Sequence, residues 1–103
     1  MRNLIIYIFI LFSSVLTAQN SFKKGEQLFK NEQWLEAKSK FQEVESSSAN
    51  YPKSQEYLGD IAAHQKEWDE ALDYYEYLVE KYPESANYNF KYGGALGMKA
   101  LTL

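Results

Sequence analysis

The chain repeats the same residue types at a fixed spacing of 34 positions, and this spacing excludes most architectures. Glycine occurs at Gly25, Gly59 and Gly93, and Trp34 precedes Trp68 by the same step. Further matches at this step are Leu28 with Ala62 and Leu96, Glu36 with Glu70, Ala37 with Ala71, and Phe41 with Tyr75. A fixed period in this range is typical of stacked repeats, in which each unit packs only on its neighbours.

Apolar residues recur at spacings of three and four along most of the chain, which predicts helices and no strands. Pro83 ends one helix, and Ser85 is a suitable N-cap for the next. The predicted helices cover Gln19–Lys30, Trp34–Ser46, Ser54–Gln65, Trp68–Tyr82 and Ala86–Leu101. The third of these begins at about Pro52 or Lys53, because proline fits the first turn of a helix. The predicted fold class is therefore all-α, an α–α superhelix with two helix pairs and the first helix of a third.

The spacing and the residue types resemble the tetratricopeptide repeat, a helix–turn–helix unit of 34 residues. In that family a small residue in the first helix lets the second helix cross closely, and Gly25, Gly59 and Gly93 match it. A second small residue, early in the second helix, is matched by Ala37 and Ala71. The resemblance implies a helical repeat domain over residues 19–103, with repeats at about 18–51 and 52–85 and an incomplete one at 86–103.

The N-terminal segment has the pattern of a secretory signal peptide. Arg2 precedes the apolar run Leu4–Phe12, and small residues then lead to Ala18. The apolar stretch is shorter than the ~20 residues that a membrane-spanning helix needs. We predict a signal peptide at residues 1–18, cleavage near Ala18, and a periplasmic or secreted protein. Contact with a membrane is expected only through an uncleaved signal segment.

The charge of the chain argues against a nucleic-acid partner. The sequence has a net charge of −3, and without residues 1–18 ten lysines face fourteen carboxylates, a net charge of −4. Nucleic-acid binding relies on lysine and arginine that neutralise phosphates, and Arg2 is the only arginine. The expected partner is a protein or a peptide.

Few residues could carry out catalysis or hold a metal. The sequence contains no cysteine, which excludes disulfides, thiolate zinc sites and thiol catalysis. His64 is the only histidine, and no serine or second base stands in register with it. The acidic run that follows lacks the alternating ligands and glycine of a calcium loop. We predict no catalytic residue, no cofactor, no metal and no enzyme activity.

The resemblance also implies where a partner would bind. Solenoids of this kind curve, and the concave face is their usual binding surface. In the family that face is lined by the first helix of each pair. The positions that line it here are Phe22, Lys23, Glu26, Phe29, Lys30, Lys53, Glu56, Tyr57, Asp60, His64, Phe90 and Lys91.

The predicted function is a non-catalytic protein–protein interaction scaffold of the bacterial envelope, with a peptide or helix bound in the concave groove. Two alternatives stay open. The segment could be the recognition domain of a longer protein or enzyme truncated at Leu103. It could also be a self-associating structural module, because its last helix ends in a largely apolar run, Met98–Leu103, which favours a homo-oligomer.

Overall fold

The computed structural model describes residues 20–103, and this part of the chain consists of helices joined by short turns. Helix α1 includes residues 20–30, and the later helices are α2 (Trp34–Gln42), α3 (Tyr51–His64), α4 (Trp68–Lys81) and α5 (Ala86–Leu101). No strand occurs within the described range. The predicted all-α class is confirmed. The predicted signal peptide, residues 1–18, lies outside the described residues.

Both helix pairs are closed by the same tight turn. Glu32 and Lys66, which are 34 positions apart, have positive φ angles of 59° and 60°. In the first turn the N–H of Gln33 donates to the carbonyl of Leu28 at 3.0 Å, and the equivalent bond of the second turn measures 2.9 Å. Bonds of this kind, around one left-handed residue, satisfy carbonyls at the end of a helix. The chain therefore reverses at the same point in each repeat.

Helix α2 is shorter than the sequence pattern predicts. It ends at Gln42, so the predicted end at Ser46 is wrong. The N–H groups of Glu43 and Val44 donate to carbonyls three residues earlier, each at 3.2 Å. This tighter winding commonly finishes a helix. Turns occupy the serine-rich stretch that follows, because serine competes for backbone hydrogen bonds outside a helix.

Helix α3 begins at Tyr51, one residue before the predicted start at about Pro52 or Lys53. Both the N–H and the hydroxyl of Ser54 donate to the carbonyl of Asn50 at 2.9 Å, so the first turn is already helical before Ser54. Pro52 fits there because the first turn of a helix has no partner for its missing N–H. The predicted start of the first helix, Gln19, lies outside the described residues, and the remaining predicted helix ends agree with the structure to within one residue.

The glycines at the 34-residue spacing allow each helix pair to pack closely. A Cβ placed on Gly25 would lie 2.7 Å from Cε1 of Phe41, and one placed on Gly59 would lie 2.7 Å from Cδ1 of Tyr75. The close helix approach predicted at Gly59 is therefore confirmed. Phe41 and Tyr75 are both buried and belong to two successive core clusters.

Helix α5 is covered on only one side by the described residues. Ala95 is its only buried residue, and α5 packs on α4. Ser85 caps its N-terminus as predicted, with the hydroxyl accepting from the N–H of Tyr88 at 3.2 Å. Lys99 pairs with Asp69 of α4 at 2.5 Å, so a charged contact supports the small apolar one.

Candidate functional site

The candidate site is the groove formed by the neighbouring sides of the three first helices, α1, α3 and α5. Side-chain hydrogen bonds connect these helices in sequence. The hydroxyl of Tyr57 on α3 donates to Glu26 on α1 at 2.8 Å. The ammonium of Lys91 on α5 donates to Asp60 on α3 at 2.8 Å. Both bonds span 31 residues, and the partners occupy equivalent positions in successive repeats.

Glu56 is the most buried carboxylate of the groove, with 5% of its surface exposed. It accepts from Lys91 at 2.6 Å, from Asn87 at 2.8 Å and from Lys53 at 3.1 Å. Burial by itself raises the pKa of Glu56, but these three hydrogen bonds outweigh it and the pKa is lowered overall. The carboxylate is therefore held charged and fully partnered.

Lys91 lies between two carboxylates. Its ammonium is 2.6 Å from Glu56 and 2.8 Å from Asp60. Burial lowers the pKa of Lys91, and the hydrogen bonds to Asp60 and Glu56 outweigh this and raise it overall. The cluster joins α5 to α3 at a place where α5 contributes few apolar contacts.

Tyr75 brings the second helix of the repeat into the groove. Its ring fills the space above Gly59, and its hydroxyl donates to Asp60 at 2.6 Å. Burial, followed by this hydrogen bond to a carboxylate, raises the pKa of Tyr75. The 34-residue spacing could have located this residue, because Gly59 leaves its ring room to pass.

Aromatic residues fill the α1 end of the groove. Tyr57 stacks on Phe41 with ring centroids 4.5 Å apart, and its edge contacts include Phe22 and Phe29. Burial, with a smaller effect of the bond to Glu26, raises the pKa of Tyr57 to about 12. Phe22 is buried with this cluster, so among the predicted groove residues it contributes to the core more than to an accessible surface.

The exposed predicted residues lie at the ends and the rim of the groove. His64 is exposed and stacks on Trp34 with ring centroids 4.5 Å apart. Lys23 and Lys30 of α1 are exposed and form no ion pair within residues 20–103. Phe90 is 80% exposed, on the side of α5 turned away from its buried contact. The structure thus brings most predicted residues of α1 and α3 together and leaves Phe90 apart.

An open pocket of about 370 Å³ lies between α3 and α5. It is lined by Asp60, Ala63, His64, Tyr75 and Lys91. The polar groups at its base are already partnered by one another. Such a pocket can accept a side chain of a ligand through shape and through the exposed imidazole, without breaking the ion pairs beneath it.

No group of three or more histidine, aspartate or glutamate side chains within residues 20–103 has a geometry that could hold a metal ion. None of the helices in the described range has both the length and the apolar character needed to span a bilayer. The groove contains hydrogen bonds, ion pairs, aromatic edges and an open pocket, and these features suit recognition of another polypeptide.

The comparison with known families agrees with this geometry. Residues 52–85 match the family described as tetratricopeptide repeat. This segment is a tetratricopeptide repeat. It comprises α3 and α4, the pair in which Tyr75 packs on Gly59. The resemblance inferred from the sequence is confirmed for residues 52–85, the second predicted repeat. Tetratricopeptide repeats are interaction modules that bind proteins or peptides, and they are typically non-catalytic. A search of curated proteins gave no match to the chain.

Proposed function

We propose that the chain is a non-catalytic protein-interaction module that binds an extended peptide or a short helix along the groove of α1, α3 and α5. The supporting observation is the series of cross-helix hydrogen bonds from Glu26 through Asp60 to Lys91. These bonds hold the first helices side by side before any ligand arrives. A surface that is already ordered loses little conformational entropy on binding.

The charges of the groove indicate the kind of peptide that fits. Glu56 and Asp60 are neutralised by lysines within the chain, so they offer little to a cationic ligand. Lys23 and Lys30 stay exposed at the α1 end. We expect a ligand that places an acidic side chain near these lysines and an aromatic or aliphatic side chain in the pocket beside His64. Exposed charges of this type mainly set orientation and association rate.

The location that goes with this role is the bacterial envelope. The proposal rests on the signal-peptide pattern of residues 1–18, in which a basic residue precedes an apolar run and a small-residue site at Ala18. Expression of the full chain in a bacterium followed by fractionation and intact mass tests it. We expect a periplasmic product that begins at Gln19. A full-length product retained in the cytoplasm would refute export.

Selection from a displayed peptide library tests the groove directly. The full chain is immobilised, enriched peptides are synthesised, and their affinities are compared between variants. His64→Ala and Lys30→Glu change exposed groove positions, so we expect each to weaken binding at least several-fold while circular dichroism shows the helices intact. Leu35→Ala is the matched control, because Leu35 is 74% exposed on α2, outside the groove. Peptides that bind all variants equally would exclude the groove as the binding site.

A further inference from the structure

The outer face of α5 is an uncharged surface that no described residue covers. At 100° per residue, the side of α5 opposite Ala95 carries seven uncharged residues, Ala86, Asn89, Phe90, Gly93, Gly97, Ala100 and Leu101. Phe90 and Leu101 are each 80% exposed, and a Cβ on either glycine would meet no atom within 4 Å. Exposed apolar faces of this kind mark interaction sites.

Both charged residues of α5 are used elsewhere in the chain. Lys91 pairs with Glu56 and Asp60 of α3, and Lys99 pairs with Asp69 of α4. The outer face therefore carries no charge that would repel an identical face. The outer face has no charge that could pair with a charged partner. Electrostatics therefore favours an uncharged helix as the partner, and a second copy of α5 meets this condition.

The face is also complementary to itself in shape. If two α5 helices pack antiparallel over their full length, Phe90 lies opposite Gly97 of the second copy, and Ala86 lies opposite Leu101. Each large residue then contacts a small one. The two-fold symmetry of the dimer generates each of these contacts twice. The chain already uses this contact in its own core, where Phe41 and Tyr75 rings sit on helix glycines.

We propose that the outer face of α5 is a homodimer interface, in which two copies of the chain pack α5 antiparallel with Phe90 seated on Gly97. This surface is separate from the groove, so dimerisation leaves the α1 and α3 portions of the groove open. A 16-residue helix is only about 24 Å long, and one helix pair buries less than the roughly 1,200–2,000 Å² of stable complexes. The dimer is therefore weak, with a Kd in the micromolar range or above.

Sedimentation of the full 103-residue chain over a concentration series tests the dimer. We expect a monomer–dimer equilibrium, at least tenfold weaker in Phe90→Ala and abolished in Leu101→Lys. Leu35→Lys is the matched control, because Leu35 is a similarly exposed leucine at 74%, and it should dimerise normally. Helicity by circular dichroism verifies folding. A strict monomer at every concentration, or equal association of all four proteins, would overturn the proposal.

Two further measurements separate this interface from other occupants of the face. The same chain without residues 1–18 should dimerise equally well. If this shorter chain stays monomeric, the association of the full chain is due to the apolar N-terminal segment, and the proposal is overturned. Because the chain has no cysteine, single cysteines report orientation. Under oxidation, Ala86→Cys mixed with Leu101→Cys should form a cross-linked dimer. Ala86→Cys alone should not, since its two copies lie about 22 Å apart in an antiparallel pair. Efficient self-linking of Ala86→Cys would contradict the antiparallel arrangement.

Discussion

Replacing Gly59 by alanine tests the packing that defines the repeat. Alanine in a helix interior is favoured over glycine by about 0.5–1 kcal/mol when nothing obstructs its methyl group. At Gly59 the new Cβ would lie 2.7 Å from Cδ1 of Tyr75, well inside van der Waals contact. The ring cannot easily move away, because Tyr75 is only 3% exposed and its hydroxyl is bonded to Asp60 at 2.6 Å.

Overpacking of this kind costs about 1–3 kcal/mol. Subtracting the helix-propensity gain, we expect Gly59→Ala to lower the free energy of unfolding by about 0–2.5 kcal/mol. Gly93→Ala is the matched control at the equivalent position of α5, where a Cβ meets no atom within 4 Å. It should raise the free energy of unfolding by about 0.5–1 kcal/mol, so the difference between the two variants isolates the steric cost.

The assay is urea unfolding followed by circular dichroism at low protein concentration, so that association through α5 does not contribute. Midpoints are compared at similar m-values, since a change in m would signal a different unfolded or native state. A double-mutant cycle with Tyr75→Ala should remove most of the cost of Gly59→Ala, because the clashing ring is gone. If Gly59→Ala proves as stable as Gly93→Ala, the close approach of α4 to α3 is refuted.

Three other predictions concern single side chains. Because the pKa of Glu56 is lowered in the folded protein, its charge contributes stability above the unfolded pKa of about 4.5, and this is lost as pH falls through the folded value. Glu56→Gln should therefore flatten the acid limb of a stability–pH curve from thermal melts, and an unchanged limb would contradict the buried ion cluster. Absorbance titration should show an ionisation near pH 12 that Tyr57→Phe diminishes, and an unchanged titration curve in this variant would be inconsistent with the assignment to Tyr57. Ser85→Ala should lower the free energy of unfolding by about 0.5–2 kcal/mol in the same urea assay through loss of the N-cap of α5, and no change would show that the cap is replaced.

The apolar part of the fold could be predicted from the sequence because packing repeats with the chain. A glycine on the first helix and an aromatic ring on the second must recur together, so Gly25 with Phe41 and Gly59 with Tyr75 follow one spacing. The same spacing supported α5, and the serine that follows Pro83 predicted its N-cap. The predicted end of α2 was less accurate. The last turn there depends on local hydrogen bonds of Glu43 and Val44, and these bonds leave no periodic pattern in the sequence.

The turns could not be predicted from residue type. Both reverse the chain through a left-handed residue, yet Glu32 and Lys66 occupy these places and neither glycine nor asparagine does. A non-glycine residue costs free energy there, and only the closure of the helix pair compensates. The left-handed conformation is indicated by the position within the repeat and not by the type of amino acid. It can therefore be predicted only by comparing the two turns at the 34-residue spacing.

The contacts of the groove show why the site was only partly predictable. Equivalent positions in successive repeats are joined in the same way, but Glu26 bonds to a tyrosine hydroxyl and Asp60 to a lysine ammonium. The geometry repeats while the chemistry changes, so residue identity alone does not indicate the pairing. The next equivalent position is Gly94, which has no carboxylate to continue the series. Within residues 20–103 the series therefore has two members, and the outer face of α5 is uncharged and suited to packing against another helix.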